Sequence, residues 1–274
     1  MLSRLNSLIE AFTVDIQNSY IELFGHKELT NLTILSTLSE QALQTIALSN
    51  APYHDVNHTM MVVSVGNEIL TAKKITDKNL SAYDWMHFII ASLYHDIGYF
   101  RGLCSEDKDG EYVKNISGET IKLSKEATDA ILAPYHIDRA KLFAQKALKR
   151  FKFIDTSYIT QLIERTRFPV PNKPEYQITG DFPGLLRAAD LIGQLADINY
   201  HHKSDALYLE LTESGSAQKY GYEDSRDLRD KLPDFFKKNV MPYIAEALFY
   251  LRKTPKGQIW INNLFFNLHK IQSL

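Results

Sequence analysis

The chain has 274 residues, 45% of them hydrophobic and 23% charged, with a formal net charge of -2 and a pI near 6.5. This supports one large domain with a sizeable core and gives no basic excess of the kind that marks a nucleic-acid partner. A run of ~18 apolar residues is missing, residues 1–20 interrupt their apolar positions with Arg4, Glu10 and Asp15, and the one cysteine, Cys104, leaves no intrachain disulfide or cysteine-built zinc site, so a cytoplasmic protein with neither secretory signal nor membrane association is expected.

Residues 4–23 and roughly 28–49 read as amphipathic helices. Over 57–74, Met61, Val65, Ile69 and Ala72 fall on one stripe, a helical spacing. Residues 83–97 are apolar on nearly all sides, through Met86, Phe88, Ile89, Ile90, Leu93 and Ile97, as suits a helix at the centre of a bundle. The stretch 101–123 is polar and turn-rich. Two short β-prone runs around Ile116-Ser117-Gly118 predict a small hairpin near 111–123. His136-Ile137-Asp138-Arg139-Ala140 opens an amphipathic helix that runs through Leu148. A second irregular stretch, 168–183, holds Pro169, Pro171, Pro174, Gly180 and Pro183. It precedes a helix over 184–197 whose apolar positions are Leu185, Leu186, Ala189, Ile192 and Leu195. There is no fixed-period repeat and no linker composition. The expected fold is all-α, a single helical domain over 1–274 with the hairpin inserted. Long loops inside compact domains tend to be functional, so both irregular stretches are expected to border the mouth of a site.

The chemistry-bearing residues sit in or beside these apolar helices. Burying an imidazole or carboxylate without a partner costs several kcal/mol, roughly 2–7 on transfer scales for neutral groups and more for charged ones. His95-Asp96 ends the buried helix before Gly98, a residue type that often terminates helices. By itself the pair could be a helix-end hydrogen bond. An imidazole and a carboxylate also suit Zn, Mn, Fe or Ni, and the carboxylate can bridge to a harder ion such as Mg. His54 and His58, four apart and following Pro52, sit at a helix start. They could chelate one ion, divide into a ligand and a proton donor, or merely cap the helix; the zinc-peptidase reading fails because no glutamate lies between them. Asp190 is a mid-helix aspartate in apolar surroundings, where Asp is a poor helix former and costly to bury. Its plainer reading is a buried pair with Arg187 or another base. Four such groups from three distant segments point to a metal centre.

In this order, these residues resemble the HD-domain metal-dependent phosphohydrolase superfamily, which includes the cyclic-nucleotide phosphodiesterases. The signature, a histidine, a His-Asp doublet and a later aspartate, falls on His58, His95-Asp96 and Asp190, and the resemblance spans about 50 to 200. Pro52-Tyr53-His54-Asp55-Val56-Asn57-His58 is close to the phosphodiesterase pattern Pro-Tyr-His-Asn-x-x-His. The resemblance implies a helical bundle of the HD type and one or two divalent ions (Mn, Mg, Ni, Zn or Fe) held by His58, His95, Asp96 and Asp190. It also implies His54 as general acid and Asp96 as the residue that helps orient the attacking water. Two departures stand out: Asp55 where those enzymes have Asn, and Tyr99 where they have a further histidine. The same resemblance assigns His136 to a second metal or the substrate phosphate, and Arg139, one turn on, could hold a phosphate bidentately; their plainer reading is a helix-start histidine and a surface arginine. Thr166, Arg167 and Gln194 are weaker candidates. His87, His201, His202 and His269 match no pattern and read as structural or solvated, and the Tyr and Phe content reads as core.

The expected function is hydrolysis of a small-molecule phosphoester, of a nucleotide or another compound, by a metal-activated water. Two rivals stay open. One is a di-iron oxygenase of the inositol oxygenase type; the other is a non-catalytic, metal-stabilised regulatory module, to which a proton donor at His54 would be superfluous. Association into homo-oligomers is left open.

Overall fold

The computed structural model describes residues 2–26 and 29–270. In chain order the helices are α1 (Leu2–Phe24), α2 (Leu29–Ile46), α3 (Val56–Asp77), α4 (Ala82–Tyr94), α5 (His136–Leu148), α6 (Thr156–Glu164), α7 (Phe182–Leu195), α8 (Tyr200–Glu213), α9 (Ser216–Tyr220), α10 (Ser225–Asp230), α11 (Leu232–Phe235), α12 (Met241–Leu251) and α13 (Pro255–Lys270), with a π turn at Phe236–Val240 between α11 and α12. The all-α expectation holds. The strands described are β1 (Glu111–Val113) and β2 (Thr120–Lys122), antiparallel with Tyr112 opposite Ile121, which is the hairpin expected near 111–123. Among the described residues, no helix is long and apolar enough to cross a membrane.

Side-chain caps set several helix starts. The Asp55 carboxylate accepts from the His58 N–H at 2.9 Å, so α3 begins at Val56 and His54 stays just outside it. Ser81 accepts from the Asp84 N–H to start α4, Asp155 accepts from the Ser157 and Tyr158 N–H groups to start α6, and Asp181 accepts from the Gly184 N–H to start α7. Each cap meets a backbone donor that the first turn cannot satisfy, and is worth about 1 kcal/mol.

Every residue of α4 from Trp85 to Tyr94 is buried, as the all-round apolar pattern requires. Around it pack α3, α6 and α2, and α3 in turn lies against α7 and α12. The closeness of α3 and α7 depends on Gly193: a Cβ there would lie 3.1 Å from the Val62 nitrogen, so glycine lets the two backbones meet. Asp190, one turn before Gly193, is thereby brought against the first turn of α3.

Gly98 acts in a different way from the one its position suggests. It does not end α4 by a left-handed turn. It sits in a short 3-10 turn, Ile97–Tyr99, and a Cβ on it would fall 1.9 Å from the His136 carbonyl oxygen. Its missing side chain is the space occupied by the start of α5. That contact sets His136 beside the His95-Asp96 turn.

Candidate metal centre

Three helices bring the central residues together. His58 comes from the first turn of α3, His95 and Asp96 from the turn that ends α4, and Asp190 from α7. His58 Nε2 lies 3.2 Å from Asp96 Oδ2 and 3.2 Å from Asp190 Oδ1; His95 Nε2 lies 3.0 Å from Asp96 Oδ2 and 3.6 Å from Asp190 Oδ1. His58, His95 and Asp96 are buried and Asp190 is 20% exposed. Yet His58 Nε2, His95 Nε2 and Asp96 Oδ2 make no hydrogen bond. Three orphaned polar atoms aimed at one another in a buried site are an anomaly for a purely structural cluster. Two groups have ligand atoms within 4.8 Å of one another: His58, His95 and Asp190, and His54, His58 and Asp96. These buried histidines and aspartates could hold a metal ion.

Surrounding contacts orient the ligand atoms. The His95 Nδ1–H donates to the Ser92 carbonyl at 2.7 Å, which makes Nε2 the nitrogen that faces the carboxylates and whose proton a cation would replace. The His136 Nδ1–H donates to the Ala133 carbonyl at 2.6 Å, and its Nε2 lies 3.6 Å from Asp96 Oδ1. Fixing one ring nitrogen in this way sets the tautomer that binds a cation. Asp96 therefore has one oxygen toward His58 and His95 and the other toward His136. Burial opposes charging of the His58 and His95 imidazoles. The Asp96 and Asp190 carboxylates outweigh it and hold both pKa values above the usual 6.5, that of His95 well above. The imidazoles in turn hold Asp190 down at about 2 against its own burial. Burial dominates at His136 and lowers its pKa, so this imidazole is neutral.

His54 is held by a residue the sequence did not point to. Its Nδ1 lies 2.5 Å from Glu210 Oε2, while Glu210 Oε1 accepts from the backbone N–H groups of Tyr53 and His54 at 2.6 and 3.0 Å. Burial opposes the charged ring, but the Glu210 charge prevails and raises His54 to about 9, leaving an imidazolium near neutral pH. The Tyr99 ring stacks against both His54 and His136, with centroids 4.5 Å from each and interplanar angles of 13° and 19°. Burial, then the Glu210, Asp96 and Asp190 charges, raise the Tyr99 phenol well above its usual range, so it stays neutral. The one local sign of Glu210 was its place between Leu207 and Leu211 on α8, which sets it beside the helix's apolar face.

The sequence profile described as Npun_R2479-like covers residues 2–273. The chain belongs to the Npun_R2479-like family. No curated protein matches it.

In this Npun_R2479-like chain the cluster forms one side of a cavity of about 370 Å³. His54, Asp96, Tyr99, His136, Asp190 and Glu210 all line it, as do the weaker candidates Thr166 and Gln194. Of the two irregular stretches, 168–183 reaches the cavity through Phe168 and Pro169, whereas 101–123 contributes nothing to the lining. Arg139 is a correction. It is fully buried and does not face the cavity. Its guanidinium pairs with both Asp107 oxygens and donates to the carbonyls of Gly98, Phe100 and Val113, so it fastens the 98–113 loop to α5. Arg167 is paired with Glu164 and Asp138, away from the lining. Arg187 is no partner for Asp190: it donates to the Tyr176 carbonyl and lies over the Tyr243 ring. His87 is structural, with Nδ1–H donating to the Tyr83 carbonyl and Nε2 accepting from the Asp155 N–H.

Proposed function

We propose that this protein is a metal-dependent phosphohydrolase of the HD type, which cleaves a small-molecule phosphoester. One observation carries the reading. His58, His95, Asp96 and Asp190, separated by up to 132 positions in the chain (from 58 to 190), meet with His58 Nε2, His95 Nε2 and Asp96 Oδ2 unpaired, beside an imidazolium on the wall of the same cavity. A merely structural metal site would have no use for that imidazolium, which weighs against the regulatory-module rival.

His58, His95, Asp96 and Asp190 would hold the ion, and His136 with the second Asp96 oxygen could take part in holding another. A bound divalent ion would lower the pKa of a coordinated water toward ~7 and offset phosphate charge. Asp96 accepts a hydrogen bond from the attacking water and so aims its lone pair at phosphorus. The His54 ring, fixed through Nδ1 by Glu210, carries its other proton on Nε2 and gives it to the departing alkoxide. Tyr99 and Glu210 restrict that ring to one plane, so the proton is delivered along a fixed line. The neutral His136 imidazole keeps its Nε2 lone pair for a cation.

Metal analysis of the purified protein, followed by assays on generic phosphoesters with Mn, Mg, Ni and Fe added, tests the reading. Turnover dependent on the added metal and absent in His95→Ala and Asp96→Ala is the expected result. Iron bound at two per chain, with oxygen uptake and no ester cleavage, would favour the oxygenase rival and overturn it.

A further inference from the structure

The groups that line the cavity are unevenly distributed by charge. Among the described residues that line it, Lys219 is the only Lys or Arg, and the carboxylates are Asp96, Asp190 and Glu210. Glu210 is answered by His54, and Asp96 with Asp190 would be matched by one divalent ion. Little positive charge is then left beyond Lys219. A single phosphate fits that balance; a triphosphate, with several more negative charges and no arginine fork to receive them, does not.

Apart from the uncharged hydroxyl and amide groups of Thr166, Gln194, Ser214, Ser216 and the tyrosines, the remaining lining is largely hydrocarbon. Leu191, Leu207, Leu211, Leu228, Leu232 and Phe235 face the same space. Leu207 and Leu228, with Tyr53, form an apolar cluster of their own, against which Leu211 and Tyr222 pack, separate from the main core. α8 and α10 thus present leucines to the cavity that the core does not need. A void of about 370 Å³ with such a wall suits the body of a small ligand.

Resting on the phosphohydrolase reading, we infer that the substrate is an ester of a single phosphate with an apolar alcohol, alkyl or aryl, rather than a nucleoside polyphosphate. In the reaction the water oxygen bonds to phosphorus and the ester P–O bond breaks. The alkoxide takes a proton from His54, and the proton lost by the water restores His54. The products are the alcohol and inorganic phosphate.

The test is steady-state kinetics of the full chain with Mn on ethyl, butyl, hexyl and octyl phosphate, 2-naphthyl phosphate, AMP and ATP. Burying a methylene is worth roughly fourfold, so kcat/KM should climb about threefold to fourfold per methylene until the cavity is filled. Placing a charge on the wall by Leu211→Lys should raise KM for hexyl phosphate by about tenfold more than it changes KM for ethyl phosphate. Better turnover of AMP or ATP than of hexyl phosphate, or no dependence on chain length, would overturn the inference. Methyl- and octylphosphonate read the cavity without any hydrolysis. A larger rise in Tm with octylphosphonate supports the apolar site even where no ester is cleaved, in which case the hydrolytic reading alone fails. Equal shifts overturn the inference.

Discussion

Glu210 gives His54 both its orientation and its charge, and the two contributions can be separated at the bench. Glu210→Gln keeps a hydrogen-bonding oxygen at the end of the side chain but removes the anion that raises His54 to about 9. His54→Gln removes the proton donor altogether. In both variants the metal-binding groups are intact, so metal content should stay at the wild-type level. Turnover of an alkyl ester should fall by roughly 10²-fold or more in His54→Gln, with an aryl ester, whose leaving group needs little protonation, affected much less. Glu210→Gln should lie between. Equal losses on the two ester types would exclude proton donation. His87 makes a different prediction, about stability. Burial lowers its pKa in the fold, where Nε2 must stay bare to accept the Asp155 N–H. The unfolded chain takes up a proton near 6.5 while the folded chain resists it. The stability that neutral His87 contributes is therefore present above about pH 6.5 and lost as the pH falls below it. Urea unfolding of wild type and His87→Gln should show a gap at pH 7.5 that narrows by pH 5; a constant gap would remove the assignment.

The α5 element shows where a local reading reaches its limit. Its span from His136 to Leu148 was legible from the amphipathic pattern, as were α1, α3, α4 and α7 to within a few residues, because each buries a stripe or the whole of an apolar helix. The joining of His58, His95, Asp96 and Asp190 was legible too, since polar groups in apolar helices need one another. Arg139 was not. One turn from His136, it could have turned to the cavity, but the Asp107 carboxylate and three carbonyls in the 98–113 loop give its five donors a complete set of acceptors. Glu210 was not legible either, because its contact with His54 closes a separation of 156 residues and no periodicity records it. Gly98 could be misread as a terminator because only the packed structure shows what fills its missing side chain. Gly98→Ala should push the start of α5 away from the His95-Asp96 turn and destabilise the fold by about 2–3 kcal/mol, the usual cost of overpacking. At this chain length that is a fall in Tm of several degrees. An unchanged melting curve would mean that α5 is free to retreat.

At the scale of the molecule, the cluster joins elements that share little else. It ties the first turn of α3, the end of α4 and the middle of α7, with His136 at the start of α5 close by. Without a cation, the buried Asp96, the partly exposed Asp190 and two imidazoles compensate one another with poor hydrogen-bond alignment. An ion that binds the folded chain alone would add stability as RT ln(1 + [L]/Kd), about 4 kcal/mol at a thousandfold excess over Kd. Removing it with a chelator should therefore lower Tm by roughly 10 °C for a chain of this size, and re-adding Mn should restore the original value. The loss should be specific to the cluster. His95→Ala already lacks a ligand, so its Tm should match that of chelated protein to within a few degrees and should not respond to chelator or Mn. Differential scanning calorimetry on wild type and His95→Ala, each untreated, chelated and with Mn added, decides the matter: a chelator effect of the same size in His95→Ala would mean that the ion stabilises the protein from another position, and the junction of α3, α4 and α7 would then be held by protein contacts alone.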